Sequence, residues 1–146
     1  MTTTLPAIEI GQTITGTPFS PTRESIREFC EASLDFNPLH LDDDYMKGNF
    51  GKTNFGGIIM HGMNNFGVIT KMLTDWIYAH GGQQRRLETR WKMPVKPGDT
   101  ITPSALVTGT RDTQGGRWYT LSVLVVNQRG ESVAVGEALV EIPRAA

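Results

Sequence analysis

"GMNNFGVITKMLTDWIYA", residues 62–79, holds the strongest periodic signal in the chain. Met63, Phe66, Ile69, Met72, Leu73, Trp76 and Ile77 recur at steps of three and four, the spacing of one face of an α-helix. Gly67, Val68 and Thr70 put small or apolar residues beside that stripe. A helix so apolar is expected to be enclosed rather than to lie on a surface. Gly81 and Gly82 follow it and predict its stop.

Working outward, the period changes to two on the C-terminal side. Strands are predicted near 84–93, 99–110, 117–127 and 132–142, with turns at Pro97-Gly98-Asp99, Asp112 to Gly116 and Gln128 to Gly130. Tyr119, Leu121, Val123 and Val125 share one side of the third of these, and Trp118, Thr120, Ser122, Leu124 and Val126 the other. Both sides are partly apolar, which predicts the core helix on one face and a partner over parts of the other. On the N-terminal side, residues 12–19 form a short strand. Ser20, Pro21 and Thr22 then open a helix whose apolar stripe is Ile26, Phe29 and Cys30 and which ends at Asp35. Consecutive strands with short connections pair antiparallel. The economical way to bury the 62–79 helix is to wrap that sheet around it, an α+β fold with a single core helix.

The 146 residues suit one domain spanning 1–146, large enough to bury a core. With 38% hydrophobic and 20% charged residues and a net charge of −1, nothing suggests a nucleic-acid or membrane-surface footprint. The start, MTTTLPAIEIGQ, lacks a charged residue followed by an apolar run, so no signal peptide is expected. No stretch nears the roughly 20 apolar residues that span a bilayer. A soluble, cytoplasmic protein is the expectation. The one cysteine, Cys30, lies in the helical stripe and reads as a small core residue rather than a reactive thiol.

Between the helices lies "DFNPLH", residues 35–40, where an acid and an imidazole flank a proline. Pro38 fixes its own φ and biases Asn37 toward extended backbone, which stiffens the loop. Asn37 can bond nearby backbone and hold the turn. Taken alone, Asp35 could be a helix-end residue and His40 an ordinary loop histidine. Asp42, Asp43 and Asp44 could suggest calcium, but they lack the spacing of a calcium loop and read as a solvated helix start. Gly48, Gly51, Gly56 and Gly57 mark a flexible stretch. With three histidines and one cysteine, no metal-ligand cluster is evident, and no phosphate-cradling glycine motif is present.

"DFNPLHLDDDY" (35–45), "FGGIIMHGM" (55–63), "WKMPVKPGDTI" (91–101) and "GEALVEIP" (136–143), in this order, resemble the MaoC-type dehydratase domain of the (R)-specific enoyl-CoA hydratase family. The resemblance runs from about residue 8 to 143. It implies a hotdog fold, an antiparallel sheet wrapped around one long helix, and a homodimer with the acyl chain in a tunnel near the subunit interface. It implies an acyl-CoA thioester as substrate, with CoA part of that substrate and no metal or organic cofactor. Asp35 and His40 become the catalytic pair, and the Gly62 amide at the helix start becomes the oxyanion hole. His61 is left between a structural and a chemical role. Thr70 matches a position where the family tends to carry serine in support of the aspartate, so the hydroxyl stays but a methyl is added. Asn64-Asn65 stands where family members more often have apolar or small residues, which points to a shorter or more polar acyl group.

The implied reaction is reversible addition of water to a trans-2-enoyl-CoA, giving the (R)-3-hydroxyacyl-CoA. A water held between Asp35 and His40 loses a proton as it attacks C3, and C2 gains one. Arg85, Arg86, Arg90, Lys92 and Lys96 either serve a CoA diphosphate or cover a solvated strand face. Two alternatives remain open. One is a non-catalytic acyl-CoA-binding hotdog subunit. The other is a hotdog thioesterase, which usually carries its carboxylate on or near the core helix rather than before it.

Overall fold

The computed structural model describes residues 8–48 and 55–144. Its elements follow the expected order. They are β1 (Thr13–Thr15), α1 (Arg23–Ser33), α2 (Asp43–Lys47), α3 (Gly62–Ile77), β2 (Gln83–Trp91), β3 (Thr102–Asp112), β4 (Gly116–Val126) and β5 (Ser132–Pro143). The five strands form one antiparallel sheet in the order β1-β3-β4-β5-β2. Helix α3 approaches all five of them. This is the hotdog arrangement.

Alternation puts one face of every strand against α3. Val107, Leu121, Ala138 and Leu87 stand opposite one another across β3, β4, β5 and β2. The first three are buried, and they meet the buried Ile69, Met72, Leu73 and Ile77 of α3. Each of the larger of these side chains removed from water stabilises the fold by roughly 1.5–3 kcal/mol. Trp76 adds an edge-on contact with Tyr119 of β4, centroids 5.4 Å apart.

Local signals set the ends. Thr22 caps α1 by accepting from the Ser25 amide at 3.0 Å, and the Ser25 hydroxyl accepts from the Thr22 amide at 2.9 Å. The helix ends at Ser33, two residues earlier than Asp35, because Leu34 turns left-handed with φ 60°. Helix α3 continues as a 3-10 turn over Tyr78–His80 and stops at Gly81, φ 65°. The three adjacent aspartates are a helix start, as expected. Asp42 caps α2 by accepting from the Asp44 and Tyr45 amides. Asp43 pairs with Arg23 of α1 at 2.7 Å and accepts from the Ile58 amide at 3.0 Å. Of the glycine-rich stretch, Gly51 lies outside the described residues. No helix among the described residues is long and apolar enough to cross a membrane.

Gly136 lets β5 approach β2 closely, since a Cβ there would sit 2.0 Å from the Glu88 carbonyl oxygen. Backbone on both sides leaves nothing flexible to give way. Gly136→Ala is expected to cost at least ~2 kcal/mol by overpacking. A urea midpoint unchanged from the parent would show that the two strands separate more easily than this spacing implies.

Candidate active site

The segment 58–61 leads into α3 and is tied on both sides. Ile59 donates its amide to the Leu39 carbonyl at 3.1 Å, and Met60 donates to the Val95 carbonyl at 2.7 Å. The DFNPLH loop is thereby held against the start of α3. The loop has the backbone that Pro38 predicts: Pro38–His40 is a 3-10 turn, and Asn37 before it has ψ 131°. The Asn37 side chain accepts from the Leu39 amide at 3.2 Å, and its own amide donates to Asp35 Oδ1 at 3.2 Å. Asn37 is thus a loop-holding residue that also orients the carboxylate.

His40 is buried and its Nδ1 lies 2.7 Å from the Ile59 carbonyl oxygen. A carbonyl only accepts, so Nδ1 carries the proton and the Nε2 lone pair is free. Nε2 lies 3.8 Å from Asp35 Oδ2. That is too long for a direct hydrogen bond. The Asp35 side chain is 52% exposed, so this pair faces outward from a buried imidazole to an accessible carboxylate.

His61 backs the pair. Its ring stacks on His40 with centroids 3.6 Å apart and planes 18° from parallel. Nε2 donates to the Asp35 backbone carbonyl at 3.2 Å, and Phe29 packs on the ring's flank. Buried Nδ1 has no hydrogen-bond partner among the described residues. These contacts favour the structural side of the open choice for His61. Cys30 is buried with Sγ 3.5 Å from His61 Nε2. Burial and the Asp35 charge push the Cys30 thiol up from its ordinary value, which keeps it protonated and unreactive.

The tertiary structure also gathers what the sequence keeps apart. One donor atom each from Asp35, His40 and His61 lies within 4.8 Å of the others. The expectation of no metal-ligand cluster is corrected to this extent: three donors of metal-binding type meet here. The cause is that residues 35–40 and 61, distant in sequence, share the Ile59 strap. His61 fits a metal poorly, because its Nε2 is committed to a carbonyl as a donor.

Gly62 is the first residue of α3, and its amide has no intrahelical partner. The preceding His61 makes no side-chain cap. A Cβ on Gly62 would lie 2.5 Å from Trp91 Nε1, so the indole packs against the helix start and would have to shift for any larger residue. Gly62 opens onto a groove of about 410 Å³ lined by Phe55, Ile59, Asn65, Trp91 and Met93 among others. The family segment at 91–101 was legible, but its role as the groove wall was not. The missed signal was strand alternation, which puts Leu87, Thr89 and Trp91 on the helix-facing side of β2.

Thr70 lies on α3, and its Oγ1 is buried without a hydrogen-bond partner among the described residues, so no hydrogen bond joins it to Asp35 in the single chain. Of the basic residues, Arg85 pairs with Glu141 at 2.7 Å and Arg86 with Glu88 at 2.7 Å. Arg90, Lys92 and Lys96 make no ion pair among the described residues, and Lys92 lines the groove.

A sheet wrapped on one helix, with an acid–imidazole pair and a free amide around the helix start, defines a hotdog-fold protein with a site at that end. The chain belongs to the MaoC-like dehydratase family: residues 6–128 match the MaoC like domain. It is 31% identical over 115 residues to an (R)-specific enoyl-CoA hydratase of Rhodospirillum rubrum, covering 79% of this chain and 75% of that protein. Among solved structures, the (R)-hydratase from A. caviae superposes with TM-score 0.81 at 28% identity, over 95% of this chain and 100% of that one. A protein described as a monoamine oxidase regulatory protein from Archaeoglobus gives TM-score 0.82 at 31% identity, over 96% and 94% of the two chains.

Burial lowers the His40 imidazole from its ordinary value, with His61 pushing the same way, while the Ile59 carbonyl and Asp35 pull it up. The unfolded chain therefore takes up this proton at higher pH than the folded chain. Stability is full above about 6.5 and falls as pH drops through the lower folded value. Urea unfolding from pH 7 to pH 5 is expected to show this decline, with a shallower slope in His40→Gln. Equal slopes would assign the decline to other groups.

Proposed function

We propose that the protein is a hydro-lyase that adds water reversibly to a trans-2-enoyl-CoA, giving the (R)-3-hydroxyacyl-CoA. The observation that carries this is the facing of two acceptors, Asp35 Oδ2 and His40 Nε2, 3.8 Å apart. Neither can donate to the other. A water between them donates one hydrogen to each and turns its own lone pairs outward. That is the orientation a nucleophilic water needs.

The steps balance without a further reactant. The water oxygen bonds to C3 while one of its protons passes to the acid–imidazole pair. The electron pair of the C2–C3 double bond moves toward the thioester oxygen, where the Gly62 amide meets the developing charge. The pair then returns a proton to C2. His40 suits the accepting role because burial keeps it neutral near pH 7. This chemistry asks for no metal or organic cofactor.

The groove beside Gly62 is the acyl compartment in this reading, since its lining is mostly apolar. Lys92 at the groove supplies a cation with no ion-pair partner among the described residues, suited to a CoA phosphate. Leu34, Phe36, Met63 and Trp91, around the loop and the helix start, are exposed in the single chain. That rim supports a homodimer in which a second copy covers it and completes a tunnel. The non-catalytic binding reading predicts none of the facing-acceptor geometry, and a thioesterase would need a water aimed at C1.

Loss of the conjugated-thioester absorbance of crotonyl-CoA tests the proposal. Parent protein is expected to turn over, and Asp35→Asn, which turns one acceptor into a mixed group, to lose roughly 10²–10⁴-fold. Equal rates in both would remove Asp35 from the chemistry. In the same assay Gly62→Ala is expected to lose at least ~10²-fold, through displacement of the amide and Trp91. A Gly62→Ala protein with parental rate would end the oxyanion role.

A further inference from the structure

Asn65 is a buried polar side chain that neither the fold nor the proposed chemistry uses. It is 3% exposed, it lines the groove, and its Oδ1 has no hydrogen-bond partner among the described residues. No hydrogen bond of its side-chain amide to any described residue is present in the structure. Leaving such a group unsatisfied costs roughly 1–3 kcal/mol. An apolar residue of similar size would avoid that cost, and the rest of the lining is largely apolar: Phe55, Ile59, Met60, Trp91, Met93, Pro94 and Val95. A lone amide in such a wall is the usual form of a specificity contact, a few placed polar groups in an apolar pocket.

Its position defines what it meets. Asn65 is three residues beyond Gly62 on α3, about 4.5 Å further along the axis and on a neighbouring line of the same face. With the thioester oxygen at the Gly62 amide, an extended acyl chain entering the groove reaches this level about three or four bonds from the thioester carbon. A hydroxyl both donates and accepts, so it satisfies the amide whichever way its oxygen and nitrogen are oriented. Resting on the hydratase reading above, we propose that Asn65 selects enoyl thioesters bearing a hydroxyl on C4 or C5 over their apolar isosteres.

The test uses isosteric pairs: 4-hydroxy-2-butenoyl-CoA against 2-pentenoyl-CoA, and 5-hydroxy-2-pentenoyl-CoA against 2-hexenoyl-CoA. Parent kcat/KM is expected to favour the hydroxylated member of at least one pair by about tenfold or more. Asn65→Leu is expected to abolish or reverse that ratio, read as the quotient of kcat/KM values within each pair. A parent preference for both apolar members overturns the proposal. So does an equal loss on all four substrates in Asn65→Leu, which would assign the amide to the shared pantetheine or to the fold. If Asn65→Leu does not fold, Asn65→Ser and the parent ratio decide the matter. If the parent turns over none of the four, the hydratase reading fails separately, and calorimetric Kd values for the same pairs decide the selectivity alone.

Discussion

One residue's backbone joins the two halves of the site. Ile59 gives its amide to the Leu39 carbonyl and takes the Nδ1 proton of His40 on its own carbonyl. The first bond fixes how far the DFNPLH loop stands from the start of α3. The second chooses the tautomer of His40 and so leaves Nε2 as an acceptor. Met60, next along, binds the Val95 carbonyl, which sets the same strap against the groove wall. A shift of this strap would move the imidazole, the Gly62 amide and the groove together. The site is built on that shared connecting segment rather than on either helix alone.

Around the strap, the fold accepts polar groups in places where an apolar side chain would pack as well. His40, His61 and Asn65 are all buried close to the start of α3. The two histidines support each other by stacking, and each holds a backbone carbonyl with one nitrogen. That satisfies part of their hydrogen-bonding capacity and leaves the remainder, His40 Nε2 above all, available. Stability and chemistry are set against each other here: the burial that lowers the imidazole keeps it neutral for proton uptake and makes the fold sensitive to acid. Two glycines serve the same end by removing atoms. Gly62 admits the Trp91 indole over the helix start, and Gly136 admits the Glu88 carbonyl against β5.

Much of the fold was legible because periodicity reports burial directly. Residues 62–79 announced an enclosed helix, and the period-two runs announced the sheet that encloses it; Val107, Leu121 and Ala138 are buried against that helix. The capping of α1 by Thr22 and of α2 by Asp42 was local chemistry, readable from adjacent residues. The left-handed Leu34 was not, because a non-glycine residue carries no mark of that conformation. Within the site, the stiffness of DFNPLH and the role of Asn37 followed from proline and amide chemistry within a few residues. The part played by Thr70 was not legible in this way, since its hydroxyl is buried on α3 without a hydrogen-bond partner among the described residues.

The sequence by itself determined the secondary elements, their order, the core helix and the residue types around the DFNPLH loop, since each depends on neighbours within a turn or a strand. Only the tertiary structure decided that His40 and Asp35 face each other as two acceptors, that His61 backs them, and that Trp91 closes over Gly62. Those facts depend on hydrogen bonds and packing between segments roughly twenty to thirty residues apart, such as His40 with Ile59 and Gly62 with Trp91. Local propensity carries no information about such distances; they are fixed when the sheet closes on its helix.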